Sequence, residues 1–332
     1  MDTSKNFDLI TIGDSTIDTF IRIHDATIEC DIHREDCKIC VKYGDKIPVD
    51  SIAHGVAGNA ANVAVGCSKL GLSTAIYANL GDDDQGKTIK QVLERENVAD
   101  DYIRVHSDKD SNLSVVLTFQ GERTIFVYHQ DWDYRLPDLA DTSWVYLTSM
   151  AESFTNSNIM DEVCHYIDKS KAKLAFSPGT FQLKADIKRY PKILEKCEII
   201  FVNLEEAKRI LGISESEIVN ERDLLSKMHF LGPKTVVITD GANGSYVSDG
   251  NRNLKIGTFP TKLVEKTGAG DAYASGFLAA LISRMPLEEA MAWGAINAAH
   301  VITKTGTQNG LLTKEQLLRH RHEANNFNAV NF

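Results

Sequence analysis

Short apolar runs alternate with helix-length segments along most of this chain. Leu9-Ile10-Thr11-Ile12-Gly13 reads as a buried first strand of a parallel sheet, because it is apolar on both faces and ends in glycine. Val145 to Thr148, Leu174 to Phe176, Ile199 to Val202 and Thr235 to Thr239 have the same character, and Ala75 to Leu80 is a further strand ending at Gly81. His54 to Val65 reads as a small-residue turn leading into a helix that continues to Leu70 and stops at Gly71, and Thr88 to Glu96 as another helix. Two helices follow Asp271. This rhythm predicts an α/β protein, a doubly wound and mostly parallel sheet flanked by helices.

Two segments break the rhythm. Leu113 to Phe119 and Thr124 to Tyr128, joined by Gln120 to Arg123, read as a β-hairpin, while residues 24 to 52 are polar and irregular. Together, over about 15–55 and 105–130, they predict a small β-sheet lid on a single domain spanning 1–332. An exposed sheet face tends to be covered, so a homodimer through the lid is expected.

Bulk properties narrow the function. The 332 residues are 43% hydrophobic and 25% charged, as in an ordinary globular protein. The net charge of −10, with 46 acidic against 36 basic residues, argues against nucleic acid as a partner. Met1 to Phe7 lacks the apolar core of a signal peptide, and no apolar run approaches the ~20 residues that span a bilayer. A cytoplasmic protein with a small-molecule partner is expected, its six cysteines mostly free thiols. Cys30, His33, Cys37 and Cys40 are chemically suited to zinc, although the three-residue gap between the two halves is tight. Free thiols in the lid-like insertion are the alternative.

The candidate chemistry centres on Val264-Glu265-Lys266-Thr267-Gly268-Ala269-Gly270-Asp271, which runs into an apolar helical segment. A glycine turn opening a helix leaves backbone N–H groups free at the positive end of the dipole, where they can gather a phosphate. Asp271 in the first turn is either a helix cap or a base beside that anion. Asp14 and Asp18 stand at the carboxyl end of the first strand, where open α/β sheets bind ligands, and Asp18 is favoured for that role. Asn59 and Asn62 can each donate and accept hydrogen bonds, as polyol recognition requires. Asn203-Leu204-Glu205-Glu206 and Thr239-Asp240-Gly241 end successive strands, positions suited to water-mediated Mg2+ and to phosphate. No G-x-G-x-x-G follows the first strand and no P-loop is present, so phosphate chemistry falls to the Gly268–Gly270 turn.

From about Leu9 to Gln308 these residues resemble the ribokinase-like, PfkB-type carbohydrate kinases. Ala57-Gly58, Asn62 and Ala64, with Gly71 and Gly81, are similar to that family's amino-terminal signature, and Thr267 to Asp271 to its carboxyl-terminal one. Asn203 with Glu206 matches its N-x-x-E motif and Thr239 with Gly241 its T-x-G. The resemblance implies ATP-dependent phosphorylation of a hydroxymethyl group on a sugar or sugar-like acceptor. Asp271 would be the base, and the amides of Gly268, Ala269 and Gly270 the anion hole. Asp18, Gly58 and Asn62 would bind acceptor hydroxyls. Asn203 and Glu206 would hold Mg2+ through water, Thr239 and Gly241 would meet ATP phosphates, and Asn297, His300 and Gly306 would border the adenine.

Departures from the family pattern carry information. Glu265-Lys266 stands where the family has Asp-Thr, and a hydroxyl residue often found near Gly310 is missing. Both weigh against activation by a monovalent cation. The segment from Asp18 to Ala57 is longer than the family's, and its cysteines are not a family feature. Arg104, Arg123, His129 and Arg135 either favour an acidic acceptor or are surface charges. A nucleoside kinase of the same family, and a non-catalytic sugar-sensing protein on this fold, stand as alternatives.

Overall fold

The computed structural model describes residues 6–31, 37–120, 122–214 and 216–332. Ten strands form the main sheet. From one edge they run Val330–Asn331, Asn253–Ile256, Ser245–Ser248, Thr235–Thr239, Cys197–Asn203, Lys173–Phe176, Thr142–Leu147, Phe7–Ile12, Thr74–Tyr77 and Val98–Ala99. Every pairing from Thr235–Thr239 to the far edge is parallel, and the three strands at the other edge are antiparallel.

Period-two alternation sends side chains into two cores. Ile10, Ile12, Val145 and Leu147 pack on one face, against helices that include Ile159–Ser170 and Glu221–His229. Leu9, Trp144 and Tyr146 pack on the other, against Ala269–Ile282 and Leu287–Val301. Leu9, Ile10, Ile12, Val145, Tyr146 and Leu147 are all fully buried, as strands covered on both faces should be.

A separate four-stranded sheet has the order Glu122–Tyr128, Leu113–Phe119, Thr16–Ile23, Val49–Ala57. The expected hairpin is present in it. His54 to Ala57, expected as a turn, instead continues the strand Val49–Ala57 and pairs with Thr16–Thr19. Only Gly58 takes the left-handed backbone there, with φ 92°, before the helix Asn59–Lys69. Residues 24 to 52 are also more regular than their polarity suggests, since Thr27–Cys30 and Cys37–Cys40 form an antiparallel pair.

That pair corrects the cysteine reading. Its register sets Cys30 opposite Cys37, and the two are joined by a disulfide. Zinc binds thiolates, so this oxidised pair does not supply ligands, and these two are not free thiols. His33 lies outside the described residues. Cys40, Cys67, Cys164 and Cys197 are free. No described helix is long and apolar enough to cross a membrane.

Candidate active site

The helix Ala269–Ile282 begins at Gly268, whose backbone is left-handed at φ 86°, ψ −1°. A β-carbon there would lie 2.9 Å from Cα of Thr307, so glycine serves both the turn and the close packing. The first regular helical bond runs from the Ala272 N–H to the Gly268 carbonyl, at 2.9 Å. The amides of Gly270 and Asp271 precede that bond and are left for an anion at the positive end of the helix.

Asp271 sits in this first turn and is only 8% exposed. Asn59 Nδ2 donates to its Oδ1 at 3.0 Å and Asn62 Nδ2 to its Oδ2 at 2.8 Å. The two asparagines are three residues apart on one helix, which puts them on the same face. Asn62 Oδ1 in turn accepts the Thr307 hydroxyl at 2.9 Å and the Gln308 amide at 3.1 Å. Those two donors fix which end of the Asn62 amide faces Asp271. Burial pushes the Asp271 carboxyl up to about 7; the asparagine bonds oppose the rise, and the charges of Asp18 and Glu206 add to it.

Asp18 reaches the same region from the small sheet, on the strand Thr16–Ile23 between Gly55 and Ser114. It is buried, and its Oδ1 has no hydrogen-bond partner. Burial pushes its carboxyl up to about 6 against a bond from Ser114. An orphaned buried acceptor of this kind is costly unless a ligand hydroxyl completes it. Gly58 lies where the chain returns to the main layer, and a β-carbon there would fall 2.5 Å from the Asp14 carbonyl.

On the opposite flank, Asn203 and Thr239 end neighbouring parallel strands in register. Asn203 and Glu206 form a reciprocal cap: the Asn203 N–H donates to Glu206 Oε2, and the Glu206 N–H to Asn203 Oδ1, both at 2.8 Å. Burial raises the Glu206 carboxyl, and Glu205 adds to the rise. A dication nearby would offset that unfavourable negative charge, and since no group of three or more His, Cys, Asp or Glu among the described residues could hold a metal ion directly, contact through water is the mode this pair would allow. Gly241 is exposed at φ 47°.

The three residues expected around an adenine part company. Asn297 is fully buried, donates to the Ala272 carbonyl and Ser275 Oγ, and accepts the Leu312 N–H. Its polar atoms are used in joining two helices and a loop, which corrects the expectation of a ligand contact. His300 is half-buried; its Nδ1 bonds the Ile296 carbonyl, and its ring lies 4.1 Å from that of His320 and 5.8 Å from that of Phe259. Gly306 lines a cavity of about 630 Å³ with His54, Gly55 and Gln308.

Asn59, read from the sequence as a polyol-binding group, donates to Asp271, and Glu265, read only as a departure from the family pattern, accepts from Thr118. The Asn-x-x-Asn spacing signals the first. Thr267, two positions on, is a local partner of Glu265, but nothing local signals the contact of Glu265 with Thr118, 147 positions away.

The family model for pfkB family carbohydrate kinases matches residues 21–314. An ATP-dependent 6-phosphofructokinase of Thermoanaerobacterium thermosaccharolyticum is 26% identical over 318 residues, 91% of this chain and 90% of that protein. The 5-dehydro-2-deoxygluconokinase of Bacillus subtilis is 25% identical, covering 94% and 95%. Arabidopsis thaliana ribokinase complexed with ribose and ATP superposes with a TM-score of 0.77 at 21% identity, covering 95% of this chain and 98% of that one. With the family model spanning most of its length and relatives aligned nearly end to end, this chain belongs to the pfkB family of carbohydrate kinases.

Proposed function

We propose that the chain transfers the γ-phosphoryl group of ATP to a hydroxymethyl group of a sugar or sugar-like acceptor, with Asp271 as general base. The observation that carries this reading is the Asp271 carboxylate, buried and oriented by Asn59 and Asn62 beside the open amides of the Gly268 turn. The orphaned Asp18 oxygen supplies an acceptor-binding group in the same region.

Asp18 and Asn62 orient the acceptor so that its hydroxyl faces Asp271. As that oxygen attacks the γ-phosphorus, its proton passes to Asp271, the bond from phosphorus to the bridging oxygen breaks, and ADP departs. The Gly270 and Asp271 N–H groups, at the turn that Gly268 makes, balance charge on the transferring group, while the Ala269 N–H is turned to the Lys266 carbonyl. Asn203 and Glu206 would hold Mg2+ through water, and Thr239 and Gly241 would meet the phosphates. Magnesium, when bound, neutralises phosphate charge.

The small sheet serves as the lid, and its outer face pairs with a second subunit. Phe126, Tyr128 and Ile52 are exposed on that face, with Phe126 at 58%, while Ile125 and Val127 alternate onto the face that carries Asp18. A contiguous apolar surface of this kind marks an interface. Sedimentation should give a dimer for the native protein and a monomer for Phe126→Asp; a monomeric native protein contradicts the pairing.

The test is phosphate transfer from ATP across a panel of sugars, sugar acids, sugar phosphates and nucleosides. Efficient transfer to a hydroxymethyl sugar supports the reading. A preference for nucleosides reassigns the acceptor, and sugar binding without transfer makes the protein a sensor.

A further inference from the structure

Glu265 carries a carboxylate yet is only 7% exposed, on an irregular stretch just before the Gly268 turn. Its Oε1 accepts the Thr267 N–H at 3.1 Å and the Thr267 hydroxyl at 2.8 Å. Its Oε2 accepts the Thr118 hydroxyl at 3.2 Å. Thr118 belongs to the strand Leu113–Phe119, which is paired with the strand carrying Asp18. One buried carboxylate therefore bridges the small sheet and the residue directly before Gly268.

Two further contacts frame the bridge. Lys266 Nζ lies 2.6 Å from Glu122, which begins the other strand of the same hairpin. On the side of the main layer, the Val264 and Glu265 N–H groups both reach the Ile302 carbonyl, at 2.8 and 3.2 Å. The stretch 264–267 is thus fixed to the main layer by backbone and to the small sheet by side chains.

A buried carboxylate is tolerated only while its hydrogen bonds are made. Lifting the small sheet would take the Thr118 hydroxyl from Oε2 and leave that charge under-satisfied. The position of the sheet and the conformation of the turn are then linked through one group.

We propose that Glu265 is a positioning residue that couples the seating of the small sheet to the amides of the Gly268 turn, so that the acceptor and phosphoryl sides of the site assemble together. This rests on the phosphoryl-transfer reading above.

Two measurements on the full-length protein test it. In turnover, Thr118→Val and Glu265→Gln should each lower kcat about tenfold while nucleotide Kd stays within about twofold. The double variant should be no slower than Glu265→Gln, and Thr118→Ser should keep native turnover, because both depend on one bond. Additive losses, or equal loss in Thr118→Ser, overturn the coupling. In hydrogen exchange, Thr118→Val should speed amide exchange over 266–270 although the substitution lies in another sheet, whereas unchanged exchange there overturns the bridge. If Glu265→Gln does not fold, the Val and Ser variants of Thr118 decide the question. A native protein that transfers no phosphate would overturn the reading of the site, and the exchange result still decides whether the bridge couples the two parts.

Discussion

Asp14 and Asp271 are both buried carboxyls, 6% and 8% exposed, and burial pushes each up to about 7. Their surroundings differ in kind. Asp14 lies where the chain passes from the main sheet to the small one, and it is closed in by donors. The Tyr134 hydroxyl is 2.8 Å from both of its oxygens, the Ala151 N–H donates at 2.8 Å, and Asn112 Nδ2 at 3.3 Å. Asp271 receives two amide donors from a single helix, and around it stand two further carboxylates and a glycine turn with open N–H groups. A raised carboxyl alone therefore does not distinguish a working group from a structural one. The distinction lies in whether the neighbours complete the carboxylate or leave room for a reacting atom.

Substitution by asparagine should separate the two most sharply. In Asp271→Asn, the Asn59 amide can turn to accept from the new NH2, so folding should persist while kcat falls by on the order of 10²–10⁴-fold. In Asp14→Asn, an NH2 must face donors that are themselves fixed. Stability should drop by about 1–3 kcal/mol in denaturant titration, with turnover of the folded fraction near normal. The reverse pattern would erase the comparison.

Gly268→Ala tests the open side of the Asp271 region. A β-carbon at φ 86° and 2.9 Å from Thr307 Cα strains the turn, so kcat should fall by about 10–100-fold with a stability loss of about 1–2 kcal/mol. Full activity with unchanged stability would show that the amides there do not matter.

Thr307→Val removes one of the two donors that orient Asn62, leaving Gln308 to hold the amide. A loss of about threefold to tenfold in kcat/KM, with little change in melting temperature, is expected from steady-state kinetics. Lys266→Ala should do least. Its pair with Glu122 is largely solvent-exposed, so stability should shift by less than about 0.5 kcal/mol in thermal unfolding.

Much of the fold was legible because parallel strands buried on both faces show as unbroken apolar runs, as at Leu9 to Ile12 and Thr235 to Thr239. The antiparallel edge was not. Ser245–Ser248 and Asn253–Ile256 mix polar and apolar residues over four positions each, too few to set a period. His54 to Ala57 looked like a turn because its residues are small, but smallness also suits a strand lying close to Asp18 and Thr16. The glycine turn, Asn62 and Asp271 were readable as local motifs. Asn297 was misread because its partners, Ala272, Ser275 and Leu312, are distant in sequence. The Glu265–Thr118 contact was hidden for the same reason, whereas the Cys30–Cys37 disulfide spans seven positions and was hidden because it rests on the pairing of two short polar strands.

The most direct test of Asp271 as the base is the pH dependence of kcat/KM for the native protein and for Asp271→Asn, with the best acceptor from the panel. A base must be deprotonated to act, and the carboxyl is pushed up to about 7, so native activity should be full above that pH and decline below it, about tenfold per pH unit. In Asp271→Asn the residual rate should be low and should lack that limb. A limb of the same midpoint in both proteins, or near-native turnover in the folded variant, would contradict the assignment.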